Sequence, residues 1–239
     1  MKKIDLAALI IFAAIGPIAW LAGCLINCIP EYGWWTVLIV AVAVILLPVS
    51  SALHEAGHMI FGAMVKIKAV PKFKLFGSSS CQIIPQTDKN LKKRFIVTAL
   101  GGLIINFLLL VFSIIAAVCL PFWVSVFFPS CWYLIALNAL PLTYSTGDTD
   151  VNAVWNMAAN EPSSQVLLSV LTVQAQVLNG KPIKDVDEKL LFDLPQIQED
   201  DQAFIALSEL RYEYFKAHGD AENAEIWKTR FEELKKEYM

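Results

Sequence analysis

WWTVLIVAVAVILLPVSSALHEAGHMIFGAMV, residues 34–65, is the stretch that decides how the chain is arranged. Its first half is apolar as far as Val49, which suits a membrane helix, and its second half adds a glutamate between two histidines. Because ionisable side chains at membrane depth are costly and usually functional, this stretch predicts a site. It is too long for one crossing and contains Pro48, so we expect a kink or break there.

Three other stretches, residues 6–26, 95–120 and 122–142, are also apolar and about as long as the roughly 20 residues that a helix needs to cross a bilayer. Across the chain 56% of residues are hydrophobic and 17% are charged, which is more apolar than a typical soluble domain. The sequence therefore predicts a mainly α-helical, polytopic membrane protein with about four transmembrane helices.

Basic residues predict the orientation, because loops rich in Lys and Arg stay in the cytoplasm. Lys2 and Lys3 precede the first span, and residues 66–94 form a basic segment after the second. The loop 27–33 and the connections near Pro121 and Pro129 contain no Lys or Arg. We expect a multi-pass protein of the cell membrane, bacterial in origin, with both termini in the cytoplasm.

The N-terminus allows an alternative. Leu21-Ala22-Gly23-Cys24, after two lysines and an apolar run, is similar to a bacterial lipoprotein signal, which would lipidate Cys24 and remove the first span. A plain transmembrane helix is the preferred interpretation, because three further spans already anchor the chain. The five cysteines are odd in number and form no CxxC pair, which argues against a disulfide framework or a Cys-based zinc site.

Beyond Asp150 the chain is polar and rich in acidic residues. Residues 162–179, 200–218 and 220–238 each have helical apolar spacing, and His218-Gly219-Asp220 predicts a tight turn between two helices. We predict a transmembrane core over residues 1–155 and a small, soluble, all-helical domain over residues 156–239 that recruits a protein partner. The acidic balance argues against nucleic acid as a partner.

His54-Glu55-Ala56-Gly57-His58 has the H-E-x-x-H pattern. Positions four apart share one face of a helix, so the two imidazoles can bind one zinc ion per chain. Glu55 can then act as general base, taking a proton from a zinc-polarised water and passing it to the leaving amine of a peptide bond. A catalytic zinc needs a third ligand, and both Asp148 and Asp150 follow the fourth span on the motif's side of the membrane.

Taken together, these features resemble the site-2 protease family of intramembrane zinc metalloproteases. Asn138-Ala139-Leu140-Pro141 matches the family's N-x-x-P, and Ala99-Leu100-Gly101-Gly102 followed by Asn106 is similar to its Gly-rich, Asn-containing segment. The resemblance covers residues 49–155 and implies that Asp150 is the third zinc ligand, beside His54 and His58. Val151 replaces the glycine that usually follows the ligand, which leaves Asp148 as the alternative.

The resemblance implies an enzyme that hydrolyses a membrane-spanning segment or a signal-peptide remnant near the cytoplasmic face. Residues 70–76 and 78–84 alternate in part, which predicts a small β-hairpin at that face. Such strands lie beside the active site in the family, where an edge could pair with an unwound substrate. The alternative for this basic segment is a loop on anionic lipid headgroups.

Two further alternatives remain open. Asn106 and Asn138 are polar groups in apolar helices, and helix-to-helix hydrogen bonding is preferred over contact with a substrate or an oxyanion. The chain as a whole could also be a non-catalytic membrane scaffold that keeps the protease fold, a reading that the glycine missing after Asp150 favours.

Overall fold

A computed structural model of the chain describes residues 6–72, 80–144 and 147–238. They form two compact units. The first unit contains the described residues of Met1–Phe61, Val70–Gln82 and Thr98–Asn152. The second unit contains the described residues of Gly62–Ala69, Ile83–Val97 and Ala153–Met239. The division into a core and a C-terminal domain at residue 155 stays a prediction.

Three long apolar helices confirm that the protein is mainly helical. They are α1 (Leu6–Asn27), α3 (Thr36–Met64) and α4 (Leu91–Cys119), and a short α2 (Ile29–Tyr32) with a 3-10 turn (Gly33–Trp35) precedes α3. By length and composition all three could cross a membrane. They also expose large apolar side chains, including Ile26, Val37 and Val118, each at least 70% accessible. Exposed apolar surface of this extent is consistent with contact to lipid.

Of the predicted kink or break at Pro48, the break does not occur, because α3 continues through the proline; the kink stays a prediction. A proline inside a helix removes one backbone hydrogen bond, a loss that membrane helices tolerate because neighbouring groups compensate. The apolar first half of α3 and the His54–His58 motif therefore lie on one uninterrupted helix.

The fourth predicted span is not a single long helix. A 3-10 turn (Phe122–Ser125) precedes α5 (Phe128–Asn138), which has 11 residues. At about 1.5 Å per residue α5 is roughly 16 Å long, about half of a bilayer's hydrocarbon core. After α5 the chain forms two short antiparallel strands, β3 (Thr143–Tyr144) and β4 (Gly147–Asp148). The structure thus contains three helices of membrane-spanning length among its described residues, and a fourth crossing is not confirmed.

Helix α5 packs on α1 and α3 inside the first unit. The indole Nε1 of Trp132 donates to the Phe12 carbonyl at 3.0 Å, and a side chain at Gly16 would overlap the Trp132 ring. The Oγ atoms of Ser50 on α3 and Ser130 on α5 are 2.7 Å apart. Cys24, the cysteine of the lipoprotein-like pattern, is fully buried within α1.

The predicted β-hairpin is confirmed as a two-stranded sheet of β1 (Ile67–Lys72) and β2 (Ser80–Pro85). The bounds of the two strands differ by a few residues from the predicted ranges, 70–76 and 78–84. The predicted residues 73–79 lie outside the described part of the chain.

The C-terminal region is helical as predicted. It contains α6 (Asp150–Ala159), α7 (Pro162–Leu178), α8 (Lys189–Phe192), α9 (Gln202–His218) and α10 (Ala221–Tyr238), with a 3-10 turn at Ile183–Asp185. The predicted bounds of α7, α9 and α10 differ from these by two residues at most, because clear local signals stand at the ends. The Asp201 carboxylate accepts from the Ala203 N–H at the start of α9, and Gly219 ends it in the left-handed conformation. The core of this region is apolar, formed by Val166, Val170, Val173, Leu191, Leu207 and Tyr214.

Candidate metal centre

His54 and His58 lie one turn apart on α3 and direct the same ring nitrogen toward one point. Their Nε2 atoms are 3.2 Å apart, and the two rings are nearly perpendicular. Both residues are buried, at 5% and 6% accessibility. The helical spacing of the motif therefore produces the paired imidazoles that the sequence predicts.

Asp150 completes a group of three potential ligands. Its Oδ2 atom lies 3.1 Å from His54 Nε2, and its Oδ1 atom lies 3.5 Å from His58 Nε2. One ligand atom from each of these residues falls within 4.8 Å of the others, so the group could hold a metal ion. Oδ2 is buried, and apart from its contact with His54 Nε2 it has no hydrogen-bond partner among the described residues. A buried carboxylate oxygen is normally satisfied, so its position fits a cation between the three side chains.

Local hydrogen bonds present Asp150 at the start of α6. The neighbouring Thr149 is buried, its hydroxyl donates to the Leu140 carbonyl at 2.6 Å, and its N–H donates to the Leu142 carbonyl at 2.9 Å. Val151 is already in the helix and does not have a positive φ. A glycine is therefore unnecessary at this position, and valine fits the backbone found there.

Asp148, the alternative ligand, has different surroundings. Its side chain is exposed, and its Oδ1 atom accepts from the Asn152 side-chain amide at 2.8 Å. It does not belong to the group formed by the two histidines and Asp150. The geometry of the described residues thus brings Asp150 to the motif and leaves Asp148 outside.

The second nitrogen of each histidine has a partner on α4. His58 Nδ1 is 2.8 Å from the Thr98 carbonyl, to which it donates, and His54 Nδ1 is 3.1 Å from the side-chain amide of Asn106. Such contacts leave Nε2 to bind a metal and fix the ring orientation. A His54 that binds metal through Nε2 carries its proton on Nδ1, so the amide oxygen of Asn106 must then face it.

The two asparagines thus have different partners. Asn106 is completely buried and does link two helices, as preferred from the sequence, but its partner is a potential metal ligand. The amide of Asn138 donates to the Leu134 carbonyl of its own helix at 3.0 Å. The sequence shows that Asn106 is an amide in an otherwise apolar helix. It does not show that the partner of this amide is His54.

Glycines allow α3 and α4 to approach closely at the site. A Cβ atom on Gly57 would lie 2.4 Å from the Gly101 carbonyl oxygen, and one on Gly101 would lie 2.5 Å from that of Gly57. A Cβ atom on Gly102 would lie 2.6 Å from His58 Nε2. The Gly-rich segment of α4 therefore provides the space in which the imidazoles converge.

Glu55 has a neighbour that the sequence did not indicate. It is buried, and its Oε2 atom accepts a hydrogen bond from the Cys81 thiol on β2 at 2.9 Å. Burial, and then the bond to Glu55, raises the pKa of the Cys81 thiol, so this group stays protonated at neutral pH. Cys81 was missed because it is 26 residues away from Glu55 in the chain and belongs to no motif.

Comparison with known proteins identified no relative: no family model, no curated protein and no solved structure matches the chain.

Proposed function

We propose that this protein is an intramembrane zinc metalloprotease of the site-2 type. The observation that carries the proposal is the meeting of Asp150, at the start of α6, with His54 and His58. The two histidines and Glu55 lie on α3, a helix that is long and apolar enough to cross a membrane. Two imidazoles and one carboxylate are a typical donor set for catalytic zinc, which keeps a fourth position open. The match of residues 49–155 to the family's motifs adds the reaction type.

In the proposed mechanism the chain's own residues hold the zinc and move one proton. His54, His58 and Asp150 would hold the ion, which would supply Lewis-acid polarisation of the scissile carbonyl and of the attacking water. Glu55 takes the proton of that water and returns it to the leaving amine. Cys81 holds one oxygen of Glu55, which leaves the other to accept the proton.

The substrate in this proposal is a membrane-spanning segment or a signal-peptide remnant. A helix hides its peptide bonds, so the substrate must be extended at the site. Strand β2 carries Cys81 next to Glu55, which makes the β1–β2 sheet suitable for pairing with an extended segment. Cleavage then occurs near the cytoplasmic face, where the basic segment 66–94 is expected.

The proposed orientation in the cell membrane has both termini in the cytoplasm. Lys92 of the basic segment donates to the Ala158 carbonyl and to the Asn160 side chain, at 3.0 and 2.7 Å. Residues 158–160 therefore lie on the same side of the membrane as that segment. With α1, α3 and α4 as three spans, the chain must cross once more between Cys119 and Ala158. This fourth crossing consists of α5 and the short strands after it. The helices α7–α10 then lie in the cytoplasm, where they recruit a protein partner.

Substitution of Glu55 tests the proposal. Glu55→Gln preserves the shape of the side chain but removes the base, so we expect one zinc ion per chain and no cleavage of single-span model substrates. Zinc is measured by mass spectrometry of the purified protein and cleavage by gel electrophoresis. Glu209→Gln, at an exposed position on α9, is the matched control and should retain both.

Two results would contradict the proposal in different ways. Cleavage by the Glu55→Gln variant at the normal rate would remove Glu55 from the reaction. Absence of zinc from the unmodified protein would instead favour the non-catalytic scaffold.

A further inference from the structure

The helical C-terminal region contains a cavity of about 480 Å³. Part of its wall is apolar, formed by Val166 and Leu207 from the core and Phe204 on α9. The irregular segment between α8 and α9 covers it with Leu194, Pro195 and Ile197. This volume lies within the roughly 300–1,000 Å³ of typical small-molecule sites.

Arg211 on α9 brings a positive charge to this cavity. Its Nε donates to the Leu191 carbonyl at 2.8 Å. The guanidinium carbon lies 5.3 Å from the centre of the Phe192 ring and 4.5 Å from that of Trp227. These contacts hold the guanidinium plane in place and leave its two terminal nitrogens to hydrogen-bond elsewhere.

No carboxylate in the described part of the chain forms an ion pair with Arg211. The one acidic residue on the cavity wall, Glu199, is paired with Arg230. Burial alone lowers the pKa of Arg211, with no contribution from a nearby acid. A partly buried charge without a counter-charge is unfavourable, so the cavity favours an anion from outside.

We propose that this cavity binds a carboxylate with an apolar body, such as an aliphatic or aryl-alkyl acid or the free C-terminus of an apolar peptide. The carboxylate forms a two-pronged pair with the terminal nitrogens of Arg211, and the apolar body lies against the half-buried Ile197 and Phe204. The site is independent of the metal centre and of the proposed proteolysis.

Calorimetric titration of the full-length protein in nanodiscs tests this site with 4-phenylbutanoate. We expect saturable binding, and binding of the uncharged 4-phenylbutanamide weaker by roughly tenfold or more, because only the acid forms charge-assisted hydrogen bonds. A second pair of probes, acetyl-Leu-Phe with a free carboxylate and its amide, shows whether a peptide C-terminus or only a small acid is accepted.

Two variants locate the binding. Arg211→Gln removes the charge, and Gln196→Trp fills the cavity from its wall without changing Arg211. Each should weaken binding of the acid at least tenfold, whereas Lys184→Gln, which removes an exposed positive charge away from the cavity wall, should leave it unchanged. Equal affinity for acid and amide, no binding to the unmodified protein, or unchanged binding in both cavity variants would overturn the proposal. Because Gln196→Trp preserves the contacts of Arg211, it keeps the test valid if Arg211→Gln fails to fold.

Discussion

Asp148 and Asp150 are two positions apart in the chain, and metal binding should distinguish them. Asp150 lies against both histidines, while Asp148 is exposed and bonded to Asn152. We expect Asp150→Asn to weaken zinc binding roughly 100-fold, at the upper end of the losses seen when groups around a metal are altered. Asp148→Asn is the matched control, and this variant should bind zinc with nearly the affinity of the unmodified protein. Competition with a fluorescent chelator measures both, and the reverse ranking would move the third ligand to Asp148.

Single residues of the site were predictable where local spacing determines them. His54 and His58 were found because a helix places positions four apart on one face. Spacing alone left two aspartates as candidates for a third ligand, and the family resemblance favoured Asp150. The position of Asp150 beside the histidines depends on the bonds of Thr149 to Leu140 and Leu142, which no sequence pattern records. Cys81 was missed for the same reason, since only the folded strand brings it to Glu55.

At the scale of elements, the close contact of α3 and α4 depends on glycine. Gly101→Ala would place a Cβ atom 2.5 Å from the Gly57 carbonyl oxygen, so the two helices must separate. We expect a loss of about 1–3 kcal/mol in the free energy of unfolding, as is typical of overpacking, together with weaker zinc binding. Thermal unfolding with and without zinc measures both effects. Leu108→Ala, on the exposed face of α4, should change zinc binding little, and equal effects of the two variants would show that the glycine contact is unimportant.

The ends of helices were predicted well where capping residues mark them in the sequence. They were not predicted where tertiary contacts determine them. A proline, a capping aspartate and a left-handed glycine mark the ends of α7 and α9 in the sequence itself. The segment 122–142 is equally apolar throughout, so composition did not show that α5 ends at Asn138 and that β3 and β4 follow. Similarly, Pro48 predicted a kink or a break, and α3 continues through it without a break.

At the scale of the whole molecule, composition predicted a helical membrane protein, and the structure confirms the helices and contains three that could cross a membrane. The described residues contain three helices of spanning length, which by itself would put the two termini on opposite sides. The contacts of Lys92 with Ala158 and Asn160 favour the proposed topology instead, because they place the start of the C-terminal region beside the basic segment that precedes α4. The proposed fourth crossing, built from α5 and the strands after it, would reconcile the two observations.

Labelling of single cysteines in intact cells with a membrane-impermeant maleimide tests this topology. Cys119, exposed at the end of α4, should react from outside the cell when the other four cysteines are replaced. In a cysteine-free background, Lys184→Cys in the C-terminal region should react only after lysis, and Lys89→Cys in the basic segment is its matched control. Reaction of the residue 184 variant in intact cells would mean that the chain crosses three times. The C-terminal helices and the basic segment would then lie on opposite sides, which the Lys92 contacts forbid.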